Sequence, residues 1–220
     1  MTPQLTLVIG NKNYSSWSLR AWYFLERTGL PFQEIRVPLN TPGYHERILE
    51  HSPTGKVPLL KDGSAIVWDS LAICEYLAEA YPEIAAWPQE RITRARARSI
   101  SAEMHSGFPA LREAMPMNCR ARGRNVAVTG ALAGDIARIK QIWTECRSVS
   151  ADAGPWLFGS FSIADAMFAP VVARFITYGV ERDGEVADYV ETLWSDPAMQ
   201  IWVEQAQAES EIIEAEEVGR

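Results

Sequence analysis

Residues 52–77 read SPTGKVPLLKDGSAIVWDSLAICEYL, and the rest of the chain is organised around them. Two short apolar runs, 57–60 and 65–68, flank the turn 61–64, where Asp-Gly supplies the positive φ of a tight hairpin loop. A helix then begins at 69–70, because Asp-Ser precedes apolar residues at helical spacing. The stretch therefore predicts a β-hairpin that leads directly into a helix.

Pro58 is unexpected at the start of a strand, because proline has no N–H to give to a β-ladder. It predicts an edge position or a cis bond in a tight corner. Either arrangement leaves the backbone of Val57 free to pair with an extended peptide. The N-terminus of the helix that follows offers free N–H groups to a carboxylate. A Val-Pro corner and an Asp-Ser cap also occur for purely structural reasons, so the combination and its spacing carry the prediction.

The order of elements over the first 80 residues is β-α-β-α-β-β-α, which is typical of a thioredoxin-like α/β domain. The first strand is predicted at 5–9 and the second at 32–37, with a short irregular helix at 42–50 before the hairpin. We therefore assign residues 1–81 to a domain with one mixed sheet and helices on both faces.

The pattern changes to helices alone after the segment 82–88, whose two prolines mark it as a linker. Apolar stripes predict long helices over 89–118 and 126–149. Residues 89–220 are accordingly assigned to an all-α domain. The acidic stretch 209–220 is expected to be a frayed tail.

Serine hydroxyls stand where the first strand leads into the first helix, at Ser15 and Ser16. A hydroxyl there can donate to an anion, and the helix dipole adds to the effect. If the anion is a thiolate, its pKa falls below the ~8.5 of a free thiol. A fall of about two units requires about 2.7 kcal/mol, which a charge-assisted hydrogen bond and a helix end can supply. Ordinary helix capping is the competing interpretation of the same serines.

The segments GKVPLL and DSLAI resemble two elements of the glutathione S-transferase family, its cis-proline segment and its (E/D)-S-x-A-I helix start. The resemblance implies that glutathione is the co-substrate. It implies that the backbone of Val57, before Pro58, pairs with the cysteinyl part of glutathione. Asp69 and Ser70 would hold the γ-glutamyl end, and Lys56 would lie near the glycyl carboxylate.

The stretch SSWSLR resembles the S-S-C-S-W-R motif of the zeta class, which includes maleylacetoacetate isomerases. The resemblance implies a serine-type enzyme, with Ser15 at the position of the catalytic serine and Ser16 beside it. Trp17 stands where the class has its cysteine, so cysteine-dependent thiol transfer is not expected. Tyr14 is a second candidate hydroxyl, because other classes use tyrosine.

The resemblance also places a hydrophobic-substrate site between the serine loop and the first long helix. Trp17, Met104, His105 and Phe108 are the residues predicted for its wall. A Met/Phe stripe at helical spacing is more often plain core packing.

Ser162 and Asp165 form a predicted capping box, S-I-A-D, in which each side chain reaches the other's backbone N–H. The same element recurs in glutathione transferases as a folding signal of the helical domain. Isomerases of the zeta class use an arginine further along this helix. Thr177 occupies that position here, so the residue is not carried over.

Composition and charge limit which functions and locations are possible for the protein. The chain has 220 residues and a net charge of −7, which argues against general nucleic-acid binding. Residues 91–124 carry eight arginines and two acids, whereas 181–220 carry twelve acids and two arginines. These segments are interpreted as solvated faces that attract each other, or as an anion-attracting or subunit contact. The N-terminus lacks a signal-peptide pattern, and no apolar run approaches the ~20 residues of a membrane helix.

Three widely spaced cysteines without a CxxC pattern indicate reduced thiols and a cytoplasmic protein. The histidines show no metal-ligand spacing, and no metal is expected.

The sequence and its resemblance to the family therefore predict a cytoplasmic glutathione transferase that joins glutathione to a small hydrophobic electrophile. The resemblance alone implies a homodimer and a role in detoxification. A glutathione-dependent cis-trans isomerase of the maleylacetoacetate type is the alternative within enzymes. A non-catalytic interaction module of the same fold is the alternative from another class.

Overall fold

The computed structural model describes residues 5–220, and a four-stranded mixed sheet forms its N-terminal part. The strands are β1 (Leu5–Ile9), β2 (Phe32–Arg36), β3 (Leu59–Asp62) and β4 (Ala65–Trp68). Their order is β2-β1-β3-β4; β1 runs parallel to β2 and antiparallel to β3, and β3 pairs antiparallel with β4.

Three helices cover the sheet, α1 (Ser16–Thr28), α2 (Tyr44–Leu49) and α3 (Ser70–Ala80). Successive residues of β1 point to opposite faces. Leu7 therefore joins the main core with α1 and α3, while Val8 packs with Ile48 of α2. The predicted β-α-β-α-β-β-α order is confirmed.

The first strand of the hairpin lies two residues later than predicted, whereas the second strand, 65–68, is where it was predicted. β3 begins at Leu59, because the Val57–Pro58 peptide bond is cis and lies outside the ladder. The two-residue loop is Gly63-Ser64, and the positive φ of 57° belongs to Gly63. Asp62 remains in the strand.

The C-terminal part is helical, which confirms the predicted fold class. Its helices are α4 (Arg91–Ser106), α5 (Pro109–Ala114), α6 (Gly130–Ser148), α7 (Ile163–Thr177), α8 (Gly184–Trp194) and α9 (Pro197–Ala208). Almost every residue of α7 is buried, since it packs against both α1 and α4. Among residues 5–220, no helix combines the length and apolar character required to cross a membrane.

The single long helix predicted over 89–118 is wrong, because the chain breaks between α4 and α5. Gly107 is extended, and a Cβ there would lie 2.6 Å from the carbonyl oxygen of Glu103. Phe108 adopts a left-handed φ of 59°, and Pro109 then starts a new helix at its first position. The helix predicted over 126–149 is present but begins at Gly130.

The capping box of α7 is formed as predicted. The Asp165 carboxylate accepts hydrogen bonds from the Ser162 backbone N–H at 2.8 Å and from the Ser162 hydroxyl at 3.0 Å.

We expect Ser162→Ala to lower the free energy of unfolding by about 1 kcal/mol, the typical cost of losing an N-cap side chain. Urea denaturation measures the change, and Ser160→Ala is the control because Ser160 is exposed two residues earlier. A loss of activity larger than the loss of folded protein would contradict a purely structural role.

The acidic stretch 209–220 is docked against the N-terminal domain, so the prediction of a frayed tail is wrong. The Glu209 carboxylate accepts the backbone N–H groups of Lys12 at 2.7 Å and Asn13 at 3.1 Å. Glu217 accepts the Tyr14 hydroxyl at 2.7 Å. These contacts hold the loop that leads to α1.

The opposite charges noted in the sequence meet at this tail. Arg120 donates to the carbonyl oxygens of Glu209 and Glu211, and Arg124 pairs with Glu217. Part of the basic segment therefore neutralises part of the acidic one.

Candidate active site

A cleft of ≈ 590 Å³ opens beside the hairpin and the N-terminus of α3. It brings together six residues that the sequence singled out, with two further neighbours. The lining residues are Trp17, Thr54, Lys56, Val57, Pro58, Trp68, Asp69 and Ser70.

Val57 offers an unpaired backbone to the cleft. It precedes the cis bond to Pro58 and stands two residues before β3 begins. Within residues 5–220, its N–H and C=O take part in no hydrogen bond. Free backbone groups beside a sheet are what an extended peptide needs to add to it.

Asp69 and Ser70 line the cleft at the start of α3. Asp69 has a φ of 77°, and its Oδ1 accepts the N–H groups of Leu71 at 2.9 Å and Ala72 at 3.2 Å. The Ser70 hydroxyl is fully buried and has no partner in the described part of the chain. Buried polar groups are nearly always satisfied, so this hydroxyl marks a position where a ligand atom is expected.

His105, predicted for the substrate wall, instead reaches across to Asp69. Its Nε2 lies 3.0 Å from the Asp69 Oδ2. Burial lowers the pKa of His105, with Arg20 and Arg112 acting in the same direction against Asp69. The charged form of the imidazole is therefore disfavoured, although its Nε2 faces the Asp69 carboxylate. The other two stripe residues, Met104 and Phe108, are buried in the core.

The two candidate serines lie just ahead of Trp17 and do not themselves line the cleft. Ser15 is the N-cap of α1; its hydroxyl donates to the Ser18 hydroxyl at 2.8 Å and accepts the Ser18 N–H at 3.4 Å. The Ser18 hydroxyl in turn accepts the N–H of Gly10 at 3.0 Å. Ser16 is 7% exposed, and its hydroxyl makes no hydrogen bond in the described part of the chain.

The Tyr14 hydroxyl is engaged by the tail. It donates to Glu217 and accepts from Arg120 Nη2 at 2.9 Å. Burial raises the pKa of Tyr14. Its role in the structure is to fasten the tail to the loop.

Sequence reasoning missed Arg20, which is fully buried on α1. Its guanidinium carbon lies 4.5 Å from the centre of the Trp17 ring. Burial, reinforced by Arg112 and Arg174, holds the pKa of Arg20 well below its usual value. The available signal was the final arginine of the S-S-C-S-W-R motif, which SSWSLR retains.

The cysteine thiols are poorly suited to act as nucleophiles, because that requires an accessible thiolate. All three are buried and unpaired. Burial raises the pKa of Cys119 to about 12 and that of Cys146 to about 11. Within residues 5–220, no cluster of three or more His, Cys, Asp or Glu side chains is arranged to hold a metal ion.

Sequence profiles of two domains match the chain. The profile of the glutathione S-transferase N-terminal domain matches residues 14–80, and that of the C-terminal domain matches residues 129–198.

Relatives of known description show the same likeness. A probable maleylacetoacetate isomerase of Caenorhabditis elegans is 33% identical over 97 residues, covering 44% of this chain and 45% of the relative. Glutathione S-transferase theta-3 of Mus musculus is 37% identical over 92 residues, covering 40% of this chain and 38% of the relative. The matched region thus spans less than half the length of either relative.

Among solved structures, a glutathione transferase homolog from Burkholderia with bound glutathione is similar over almost its whole length. It is 29% identical with a TM-score of 0.68, and the match covers 92% of this chain and 98% of that one.

Proposed function

Because the chain belongs to the glutathione S-transferase family, we propose that it binds glutathione in the cleft and transfers the glutathionyl sulfur to an electrophile. The observation that carries the proposal is that one cleft contains both a Val57 backbone without hydrogen-bond partners and a buried Ser70 hydroxyl without a partner among residues 5–220. The free backbone can bind an extended peptide, and the hydroxyl at the start of α3 can bind a carboxylate, so the cleft suits a peptide-like ligand that ends in a carboxylate.

Glutathione fits the cleft group by group. Val57 pairs with the cysteinyl backbone as an added strand. The Ser70 hydroxyl and the N-terminus of α3 hold the γ-glutamyl carboxylate, and Asp69 attracts the γ-glutamyl ammonium group. Lys56 also lines the cleft, and we assign to it the glycyl carboxylate.

The protein's part in the reaction is to lower the thiol pKa and to position the reactants. We assign stabilisation of the thiolate to the Ser15 hydroxyl at the start of α1. When it donates to sulfur, the Ser18 hydroxyl can turn and donate to Ser15 in its place, since the two oxygens are 2.8 Å apart. Trp17 and Trp68, 37% and 47% exposed, present aromatic surface in the cleft for an electrophile.

Titration of the thiolate absorbance of glutathione in the presence of the protein tests the proposal. Saturable binding with a thiol pKa below that of free glutathione is the expected result. Binding without a change in pKa would leave a glutathione-binding scaffold. Absence of binding would overturn the enzyme proposal and favour an interaction module.

We expect Ser70→Ala to weaken glutathione binding about tenfold to a hundredfold, because a hydrogen bond to a charged group contributes about 1.5–3 kcal/mol. Stability should be unchanged, since the hydroxyl has no partner in residues 5–220. Titration calorimetry gives the dissociation constant.

Ser101→Ala is the matched control, because Ser101 is equally buried but donates to the Ala97 carbonyl within α4. Unchanged affinity in Ser70→Ala would remove Ser70 from the site.

Glutathione-dependent isomerisation is the second candidate, supported by the likeness to a probable maleylacetoacetate isomerase. In that reaction the thiolate adds to a conjugated double bond and later leaves. Turnover of a cis-enone without net consumption of glutathione would favour it.

A cytoplasmic, homodimeric protein in a detoxification role remains part of the proposal. The three unpaired cysteines support a reducing compartment. Light scattering combined with size-exclusion chromatography would test the dimer.

A further inference from the structure

Arg20 is a buried charge without a counter-charge in contact. Its Nε, Nη1 and Nη2 atoms are all buried, and none has a hydrogen-bond partner among residues 5–220. Arginine stays charged in proteins, and a buried charge costs several kcal/mol unless it is paired. Three unsatisfied donors on one buried guanidinium therefore call for an acceptor from outside the chain.

Neighbouring side chains add positive charge. Arg112 and Arg174 lie close enough to depress the pKa of Arg20. Both give their own hydrogen bonds to backbone carbonyl oxygens: Arg112 donates to Gly107, Met104 and His105, and Arg174 to Met115 and Pro170. Asp135 offsets part of the charge of Arg112 and Glu216 part of that of Arg174, but neither acid is among the groups whose charges act on Arg20.

Asp69 is the carboxylate whose charge acts on Arg20. Its oxygens are already engaged, because Oδ1 caps α3 and Oδ2 meets His105. The pocket around Arg20 thus has a surplus of positive charge.

Trp17 contacts Arg20 and also lines the cleft. Its ring is close to two guanidinium groups, with Arg20 at 4.5 Å and Arg112 at 5.1 Å from the ring centre, and it meets His105 edge-on at 5.1 Å. The same side chain lines the cleft and is 37% exposed. Rotation of the Trp17 ring would open Arg20 to a ligand in the cleft.

We propose that Arg20, beneath Trp17, is an anion subsite that binds the carboxylate of the electrophilic substrate. The inference rests on the proposed function and narrows its electrophile to a planar acid. Glutathione's own carboxylates have other partners in this proposal, namely Ser70 with the start of α3, and Lys56. The electrophile's carboxylate meets Arg20 while its ring lies against Trp17.

A pair of aromatic acceptors that differ in one charge tests the subsite. With 4-chloro-3-nitrobenzoate or 4-chloro-3-nitrobenzamide, the thiolate attacks the carbon that bears chlorine and a C–S bond forms. The C–Cl bond breaks, chloride leaves with the bonding electron pair, and the thiol proton is released to solvent. Each catalysed rate is divided by the uncatalysed rate for the same acceptor, so that the difference in chemical reactivity between the two acceptors cancels.

The native protein is expected to favour the benzoate over the benzamide by at least about tenfold in kcat/KM, as one charge-assisted hydrogen bond allows. Arg20→Met should abolish the preference by lowering kcat/KM for the benzoate alone. Arg91→Met removes the same charge from an exposed position on α4 and should retain the preference. Arg20→Lys keeps the charge and should retain part of it.

Calorimetric titration with unreactive 3-nitrobenzoate provides a second readout that needs no turnover. Binding by the native protein and Arg91→Met, but not by Arg20→Met, is expected. Thermal melting confirms that Arg20→Met is folded, since loss of an unpaired buried charge should not destabilise the protein.

Equal use of the two acceptors by the native protein would overturn the subsite, as would a preference retained in Arg20→Met. An equal fall in kcat/KM for both acceptors in Arg20→Met would also overturn the subsite, because Arg20 would then act on glutathione. Arg20-dependent binding of 3-nitrobenzoate without turnover of either acceptor would support the anion subsite and reject the transferase.

Discussion

Ser15→Ala raises the pKa of the bound glutathione thiol by about two units and lowers kcat/KM at neutral pH about a hundredfold. The expectation follows because one hydrogen-bond donor to a developing or resting anion contributes about 2.7–4 kcal/mol in a site shielded from water. The Ser15 hydroxyl stands at the N-terminus of α1, where the dipole favours the same anion. Thiolate absorbance against pH measures the shift directly.

Ser16→Ala is the matched control for this experiment. The two serines are adjacent and almost equally buried, but only the Ser15 hydroxyl is tied to Ser18. Ser15→Ala also removes a helix cap, at a cost of about 1 kcal/mol, so both variants should be assayed well below their melting temperatures. A larger loss of activity in Ser16→Ala would contradict the assignment to Ser15.

Asp165→Ala lowers the free energy of unfolding by about 4 kcal/mol, which makes it the most damaging single substitution proposed here. The carboxylate accepts four hydrogen bonds in the core, two from Ser162, one from the Leu157 N–H at 3.1 Å and one from the Tyr189 hydroxyl at 3.2 Å. Each donor left buried without an acceptor costs about 1–3 kcal/mol. Urea denaturation with an unchanged m-value measures the loss.

The exposed Asp188 on α8 provides the control, and Asp188→Ala should change stability by no more than about 0.5 kcal/mol. A loss below about 1.5 kcal/mol in Asp165→Ala would show that the core reorganises around the missing carboxylate.

The pH dependence of the same site has a defined sign. Burial raises the pKa of Asp165 to about 6, even though its hydrogen bonds lower it. Because the folded-state pKa lies above that of the unfolded chain, this group's stabilising contribution is complete below about pH 4 and is lost as pH rises through 6. The native protein should therefore gain stability relative to Asp165→Asn between pH 7 and pH 4.

Local patterns in the sequence predicted the parts of the fold that short-range physics determines. The Asp69-Ser70 helix start and the Ser162–Asp165 box follow from one or two residues and their neighbours. The cis bond at Pro58 is one of the two arrangements that the sequence predicted there. The break at Gly107 was missed, because the stripe of apolar residues continues through it at nearly helical spacing.

Long-range contacts could not be predicted from the sequence in the same way. Glu209 looks like one more acid in a charged stretch until the fold brings it to the N–H groups of Lys12 and Asn13. Arg20 looks like a solvent-facing helical residue, and only tertiary packing reveals that it is enclosed. The contact between His105 and Asp69 likewise joins two elements far apart in the sequence, and no local pattern indicates it.

The docked tail has a consequence for how the protein is made. Lys12 and Glu209 are separated by 197 positions, so the loop before Ser15 gains these hydrogen bonds only after residue 209 has left the ribosome. Until then the N-terminal domain can form its sheet, but the segment that presents the serines lacks the clamp at Glu209 and Glu217. Proteolytic removal of the tail from the finished protein would take away this clamp and leave the loop held through Asn13, which accepts the backbone N–H groups of Cys119 and Arg120.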